Sequence, residues 1–480
     1  MQQLSTIDVI LVALYLVAMV AIGIYSMRKR ENVDDYYVGG RRAGIFIMGC
    51  LWMSSWIGGA TVIGSTDQAY TVGIAGLWYC GAMLIGCLLF AFTSTSLIQT
   101  VGAKFNFLTY PELIEKRFGT TTRVIATITT FLAYIAYSSG QFLAMGKLLN
   151  AFLGWDLSSA IWLSAASMVI YTALGGFIAV TITGVAQALI IMVTLAFVMV
   201  PIVWWNVADI SLTNTLPEGF FDIGAWGWSK ALGLTVTIVF TFYTSMDSYT
   251  RCFASKNARA AKWGTALAAG MIAVIAFTTT FLGMSGKALM PDMPEGMTIM
   301  SALILNYMPD GVKGLILIGL LAAIMSTGAV CILVATANVT QDIYKRFIRP
   351  EATEKNILLL GTVVSVGVGI LATYMAIYKQ DIVNVLYIAF TINSASLFIP
   401  TMVAFTSRKG GATAAAWSMG LSLAVVLIWY IGQEKAPDNW WFGFDPVWPG
   451  LIVSGVVFFV AAKLFPLTEM DKKKIADFWG

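Results

Sequence analysis

A glycine pair interrupts a long apolar run early in the sequence, within the segment SSWIGGATVIGSTDQ at Ser54–Gln68. Gly58 and Gly59 weaken a helix at the depth where a membrane span should satisfy its own backbone. Carbonyl groups near Ser54 and Ile57 can therefore turn away from their usual partners four residues ahead. Freed carbonyls of this kind are hard oxygen ligands, which suit a cation such as sodium.

A second polar segment, AAIMSTGAV, places two neighbouring hydroxyl groups inside another apolar run at Ala322–Val330. Ser326 and Thr327 stand there beside Gly328. An interrupted span facing a hydroxyl-bearing span supplies several uncharged oxygens, with no carboxylate strictly required. The two segments indicate a cation site. The alternative is that the hydroxyls bond back to their own helix and the glycines only allow close helix packing.

A further set of residues is aromatic or hydrogen-bonding and mostly uncharged, which suits a solute pocket near the membrane midplane. Such a cavity favours a zwitterion or a quaternary amine, since aromatic faces attract the amine and a half-helix N-terminus attracts a carboxylate. A neutral solute such as urea or a sugar, or a small carboxylate, stays open, and each aromatic taken alone can equally be a packing residue. The candidates are Trp56, Thr61, Trp78, Tyr79, Tyr137, Gln141, Phe242, Tyr243, Ser245, Asn393 and Ser394.

Two carboxylates lie close to the apolar runs and are candidate gating residues. Asp67 stands at the outer end of the interrupted span, where it can guard an entrance. Asp247 has Arg251 four residues further on, so a helical ion pair is the simpler interpretation and an inner gate is the functional one.

The composition requires an apolar solvent for most of the chain. Of its 480 residues, 58% are hydrophobic and 11% are charged, and the mean hydropathy is +0.80. The apolar runs are continuous and do not alternate at period two, which excludes an outer-membrane barrel. At about 20 residues per span, we predict an all-α polytopic membrane protein with about thirteen transmembrane helices, at 8–27, 44–68, 73–99, 121–150, 158–175, 183–205, 227–250, 263–285, 313–343, 355–378, 382–406, 411–431 and 447–465.

The basic residues predict the orientation of these spans. With the N-terminus outside and the C-terminus inside, 23 of the 29 lysines and arginines fall in cytoplasmic loops, as the positive-inside rule requires. The outer loops are acidic and rich in tryptophan, with Trp440, Trp441 and Trp448 as an interfacial belt. We therefore expect a multi-pass protein of the cell inner (cytoplasmic) membrane, whose partners are the lipid bilayer and a small-molecule solute. Neither a nucleic acid nor an obligatory protein partner is indicated.

The reactive residue types argue against an enzyme. The chain has no histidine, which removes histidine metal sites, Ser-His nucleophile pairs and histidine proton relays. Its five cysteines lie in or beside apolar runs without the spacing of a zinc site or a disulfide framework.

Three segments give the chain a resemblance to the sodium:solute symporter family. They are IYTALGGFIAV at 170–180, FLTYPELIEKRFG at 107–119 and LLAAIMSTGAVCILVATANVTQDIYKR at 320–346. The resemblance implies a leucine-transporter-type fold with two inverted five-helix repeats at 44–205 and 226–406. An extracellular loop at 206–225 would join them, with a leading helix and cytoplasmic loop at 1–43 and two further helices and a cytoplasmic tail at 407–480.

The resemblance also implies a sodium site and a mechanism. The ligands would be the backbone oxygens of Ser54, Ile57 and Ala323 and the hydroxyls of Ser326 and Thr327. The implied function is sodium-coupled import of a small organic solute by alternating access, with sodium as the only cofactor. A proton-coupled or uncoupled facilitative transporter, or a transporter-like solute sensor, is the alternative.

One position departs from the family's pattern. Where the family usually has an aspartate after the glycine pair, this chain reads TGVAQ, with Gly184 at that place. The family associates this aspartate with a second sodium site and the sodium exit path, so we expect a single coupling ion here.

Overall fold

The computed structural model describes residues 4–27, 37–210, 212–293, 296–436 and 444–479. Over these residues the secondary structure is helical, and an isolated backbone bridge between Ala43 and Ser255 is the sole extended pairing within them. Trp440 and Trp441 of the predicted aromatic belt lie outside the described residues.

Among the described residues, the first half of the chain contains nine α-helices. They are α1 (Thr6–Met27), α2 (Ile45–Trp56), α3 (Gly59–Val72), α4 (Leu77–Thr93), α5 (Thr95–Phe105), α6 (Tyr110–Phe118), α7 (Thr120–Leu153), α8 (Leu157–Ile191, continued by π-helical turns over Met192–Met199) and α9 (Val200–Val207).

The second half begins with a short helix. Its elements are α10 (Leu212–Thr215), α11 (Trp228–Phe242), α12 (Met246–Ala254), α13 (Ala258–Leu289), α14 (Ile299–Tyr307), α15 (Val312–Ala337, continued by π-helical turns over Asn338–Ile348), α16 (Glu354–Tyr378), α17 (Ile382–Thr406), α18 (Ala412–Lys435), α19 (Val447–Leu464) and α20 (Glu469–Trp479).

The helical membrane architecture is confirmed, while the count of thirteen spans stays a prediction. Within the described residues, nine helical stretches are long and apolar enough to cross a bilayer. Two shorter apolar helices, Ile45–Trp56 and Leu157–Ala173, accompany them. Ile45–Trp56 is short because the break at Ile57 and Gly58 separates it from α3.

The expected interruption of the second span is present at the glycine pair. Helix α2 ends at Trp56 and α3 begins at Gly59, with non-helical backbone at Ile57 (φ −89°, ψ 76°) and Gly58 (φ −90°, ψ 176°). Ile57 still donates its N–H to the Met53 carbonyl at 2.9 Å, so the helix runs intact up to the break.

A second interruption was not expected. The sequence predicts one continuous span at 227–250, but α11 ends at Phe242 and α12 begins at Met246. The intervening Tyr243–Ser245 segment carries no glycine or proline. Within the described residues, each half of the chain thus holds a broken helix. Two related repeats would have this arrangement, and the repeats themselves remain a prediction.

Gly176 bends the chain between two further predicted spans. Its backbone (φ 57°, ψ −157°) is one that residues with a Cβ rarely adopt, and it kinks α8. The predicted division into spans at 158–175 and 183–205 falls on either side of this kink.

Helix α15 is the centre of the molecule. All of its residues except Val312 and Leu315 are buried, and it packs against α7, α8 and the two halves of the first broken helix. The hydroxyls of Ser326 and Thr327 are therefore presented to the break between α2 and α3 and not to lipid.

Candidate cation and solute site

The break releases three successive carbonyl groups, and each accepts a hydrogen bond from a side-chain hydroxyl. The Ser54 carbonyl accepts from Ser326 at 2.5 Å and from Thr327 at 3.2 Å. The Ser55 carbonyl accepts from Tyr137 at 3.5 Å, and the Trp56 carbonyl accepts from Thr61 at 2.9 Å. Hydroxyls from α7, α15 and α3 thereby replace the helical hydrogen bonds that these three carbonyls lack.

These hydrogen bonds bring together four of the five predicted sodium-ligand residues, Ser54, Ala323, Ser326 and Thr327. Ser326 also donates to the Ala323 carbonyl at 3.0 Å, so its oxygen lies within hydrogen-bond distance of two predicted ligand carbonyls. Ile57, the fifth residue, lies in the break itself. All of these oxygens are uncharged and buried. A hard cation with several oxygen ligands fits this donor set, and its binding would replace the hydroxyl-to-carbonyl hydrogen bonds.

The glycine pair allows α15 to approach the break. A Cβ on Gly59 would lie 2.0 Å from Cγ1 of Ile324, and one on Gly58 would lie 2.8 Å from the Thr327 hydroxyl. The Gln141 carboxamide oxygen closes the other side, since it accepts the Gly59 N–H at 3.1 Å. Gln141, itself buried, thus occupies the buried N-terminus of α3.

Gly184 lies beside Ser54, whose backbone oxygen is one of the predicted sodium ligands. A Cβ at this position would lie 3.1 Å from the Ser54 hydroxyl oxygen. An acidic side chain here would bring a charged oxygen close to Ser54, whereas glycine leaves the described ligand set neutral.

The aromatic candidates form a stack beside the break. The ring of Trp56 lies 3.7 Å from that of Phe242 at an interplanar angle of 13°, and 6.0 Å from that of Phe390 at 12°. Tyr137 meets Phe390 edge-on at 5.3 Å. Phe390 was not among the sequence candidates; its place three residues before Asn393 on α17 was the available signal.

A family comparison decides what kind of protein carries this geometry. A sequence model described as "Sodium:solute symporter family" matches residues 36–219 and 225–422, more than half of the chain. The chain belongs to the sodium:solute symporter family. It is therefore a multi-pass membrane transporter and not an enzyme.

Curated relatives match this symporter over nearly its whole length. A sodium/proline symporter of Haemophilus influenzae is 25% identical over 95% of this chain and 94% of its own length. A sodium/proline symporter of Staphylococcus aureus is 27% identical over 98% of this chain and 95% of its own.

Solved structures confirm the fold. A sodium-coupled sialic acid symporter in a substrate-bound outward-open state superimposes with a TM-score of 0.81, at 20% identity, over 96% of this chain and 98% of the other. The nucleobase-cation-symport-1 family transporter Mhp1, with bromovinylhydantoin bound, gives a TM-score of 0.59 at 17% identity, covering 92% and 98%.

The other solute candidates of this symporter lie at varied distances from the stack. Tyr79 and Asn393 are buried, and the Tyr79 hydroxyl and the Asn393 carbonyl oxygen have no hydrogen-bond partner among the described residues. In the second break, the Tyr243 hydroxyl bonds that of Thr93 at 2.8 Å, and the Ser245 hydroxyl bonds that of Ser248 at 2.8 Å. Ser394 donates back to the Thr391 carbonyl of its own helix at 3.4 Å. Trp78 is not brought to the stack: it donates to the Ile223 carbonyl at 2.8 Å and meets Trp228.

The two predicted gating carboxylates have different surroundings. Asp67 accepts the N–H of Ile299 at 2.8 Å and so holds the start of the short helix α14. Asp247 pairs with Arg251 at 3.4 Å and accepts a hydrogen bond from the Tyr134 hydroxyl. Arg251 in turn donates to the Leu51 carbonyl at 3.1 Å, so this buried group joins α12 to α7 and α2.

A charged network that the sequence did not predict joins the start of α7 to the end of α15. Arg123 contacts Glu115 at 2.6 Å, Asp342 at 2.7 Å and Glu112 at 3.4 Å, and Arg346 pairs with Glu115 at 2.8 Å. Burial would raise the pKa of the Glu115 carboxyl, but hydrogen bonds from Arg346 and Arg123 outweigh it and lower that pKa below its usual range. Glu115 is therefore ionised at neutral pH.

Proposed function

We propose that this chain imports a small organic solute, an amino acid, amine or related zwitterion, by sodium-coupled symport with alternating access. The observation that carries the proposal is the Ser54 carbonyl, freed by the helix break and held by the hydroxyls of Ser326 and Thr327. In the proposed cycle, sodium enters from outside and joins the α2–α3 break to α15. The solute then binds beside the break, the outer side closes, and both leave on the inner side.

One sodium ion supplies enough free energy for a scavenging importer. A charge moving through 100 mV contributes about 2.3 kcal/mol, and a tenfold sodium gradient adds about 1.4 kcal/mol. The two together support accumulation of several hundredfold.

Proline is the first solute to test, because the two curated relatives are named sodium/proline symporters. The walls beside the break are aromatic. The charges of Asp247 and Arg251 on α12 neutralise each other in an ion pair. A compact zwitterion suits such walls, because its ammonium group can meet an aromatic face and its carboxylate can replace the Gln141 carboxamide oxygen at the N-terminus of α3. Sialic acid, named for a structural neighbour, belongs in the same test panel.

The deciding experiment compares the thermal stability of purified protein in sodium chloride and potassium chloride at equal ionic strength. Sodium should raise the Tm of wild type and not that of Ser326→Ala/Thr327→Ala. The control is Thr336→Val, which removes a buried hydroxyl of α15 that bonds Ser365 away from the break and should leave the sodium effect unchanged.

Solutes are then added in each salt. A solute that raises the Tm further only in sodium identifies the substrate, and its accumulation by proteoliposomes against a gradient separates symport from sensing or facilitation. If sodium at up to a few hundred millimolar leaves the wild-type Tm unchanged, the sodium mechanism is wrong. Uptake driven by a proton gradient would then identify the proton-coupled alternative.

A further inference from the structure

A small cavity lies next to α15 beyond the predicted sodium site, towards the carboxyl end of that helix. Its volume is about 10 Å³, room for about one water molecule. Val330 and Val334 of α15 line it, together with Tyr37 and the Asp247–Arg251 pair of α12. Along α15, the cavity therefore lies between Thr327 and Asn338.

Beyond the cavity, the same face of α15 turns polar. Thr327, Val330, Val334, Asn338 and Asp342 follow one another at three- and four-residue spacing, which keeps them on one side of the helix. At 1.5 Å per residue, Asn338 lies about 17 Å along the helix from Thr327. The helix widens into π-helical turns at Asn338, a distortion that often marks functional positions.

Asn338 and Asp342 hold buried polar atoms that the described residues leave unused. Both side chains are fully buried. Neither the carbonyl oxygen nor the amide nitrogen of Asn338 has a hydrogen-bond partner among the described residues, and the same holds for Oδ2 of Asp342. Leaving such atoms without a hydrogen bond in a protein interior costs free energy. Two side chains with such atoms, one helical turn apart, therefore indicate a ligand.

The charge of Asp342 is only partly neutralised by its known neighbours. Its Oδ1 atom accepts from Thr109 at 2.7 Å and from two nitrogens of Arg123 at 2.7 and 3.1 Å. Arg123 is shared with Glu112 and Glu115, and the latter also pairs with Arg346. The unused Oδ2 atom therefore lies in a field that favours a cation.

We propose that Asn338 and Asp342 form an inner cation site, which the coupling sodium ion occupies after it leaves the helix break and before it is released. The Asn338 carbonyl oxygen and the Asp342 Oδ2 atom are its protein ligands, and both are hard oxygens suited to sodium. The proposal rests on the proposed sodium-coupled symport and adds a release site that is distinct from the Ser54–Ser326–Thr327 cluster.

The test varies the sodium concentration inside vesicles of uniform orientation and measures inhibition of solute uptake. Asn338→Ala removes a ligand but no described hydrogen bond, so the protein should fold. The internal sodium concentration for half-inhibition should rise roughly three- to tenfold, the effect of losing one ligand oxygen. Asn338→Asp adds a charged ligand and should lower that concentration. Dependence on external sodium should stay as in wild type for both.

The matched control is Ser285→Ala on α13, which also removes a buried side-chain oxygen without a described partner and should change neither dependence. If both Asn338 variants keep the wild-type response to internal sodium while uptake remains sodium-driven, the inner site is wrong and the proposed function stands. If wild-type uptake does not depend on sodium at all, the proposed function fails together with the inner site.

Discussion

Gly59 begins α3 at the point where this helix presses against α15. Replacing it with alanine would place a Cβ 2.0 Å from Cγ1 of the buried Ile324. This Cγ1 atom is near the Ile324 backbone, so it cannot move away easily. Overpacking of this kind costs about 1–3 kcal/mol. It would also push the Thr327 hydroxyl away from the Ser54 carbonyl. We expect Gly59→Ala to have a lower Tm and to lose most of its stabilisation by sodium, measured by thermal unfolding with and without sodium.

The control for this substitution is Gly367→Ala on α16, where a Cβ would have nothing within 4 Å. Alanine favours a helix over glycine by up to about 1 kcal/mol, so the control should match or exceed the wild-type Tm. A Gly59→Ala protein with the wild-type response to sodium would contradict the close approach of the two helices as the basis of the site.

The same glycine pair shows why part of the site could be predicted from sequence. Gly58 and Gly59 mark a weak helix locally, and Ser326 and Thr327 are conspicuous as adjacent hydroxyls in an apolar run. The residue types alone indicated that the two segments could form a cation site together. The particular set of ligands came from the family resemblance, since spacing within one segment cannot give a distance to another. Phe390 was missed for a related reason: it qualifies only through its ring contact with Trp56, from a helix more than three hundred residues away.

At the scale of the elements, α12 is held in place by one buried ion pair. Arg251 donates to the Leu51 carbonyl of α2, and Asp247 binds both Arg251 and the Tyr134 hydroxyl of α7. Asp247→Asn would leave the buried guanidinium without its carboxylate, which costs about 3–5 kcal/mol. We expect a clearly lower Tm and slower uptake, because three helices lose their common contact.

Its control is the exposed pair between Glu469 and Lys472 on α20, at 2.7 Å. Exposed ion pairs contribute about 0–1 kcal/mol, so Glu469→Gln should hardly change the Tm. Equal Tm values for Asp247→Asn and wild type would show that the buried pair does not hold these helices together.

The second helix break illustrates what the sequence does not reveal about elements. No glycine or proline marks Tyr243–Ser245, so the local pattern predicts a continuous helix. Contacts in the folded protein accompany the break instead. The Tyr249 hydroxyl donates a hydrogen bond to the Tyr243 carbonyl at 2.8 Å, and the Phe242 ring stacks on Trp56. The ion pairs around Arg123 could not be predicted from local sequence either, since they join residues more than two hundred positions apart.

At the scale of the whole molecule, the orientation in the membrane determines which side loads and which side releases. Basic residues favour one orientation, with only Lys147, Lys230, Lys287, Lys313, Lys379 and Lys435 falling at the ends predicted to be outside. The proposed route from the helix break to Asn338 runs inward only if α15 ends in the cytoplasm.

Cysteine labelling tests this orientation directly, because the chain's five cysteines are all buried and should react little. We expect Glu218→Cys, on the exposed segment between α10 and α11, to react with a membrane-impermeant maleimide on intact cells. Lys473→Cys, exposed on α20, should react only after permeabilisation. Unsubstituted protein gives the background. The reverse pattern would place Asn338 and Asp342 at the outer face, where they would meet entering sodium and not sodium on its way out.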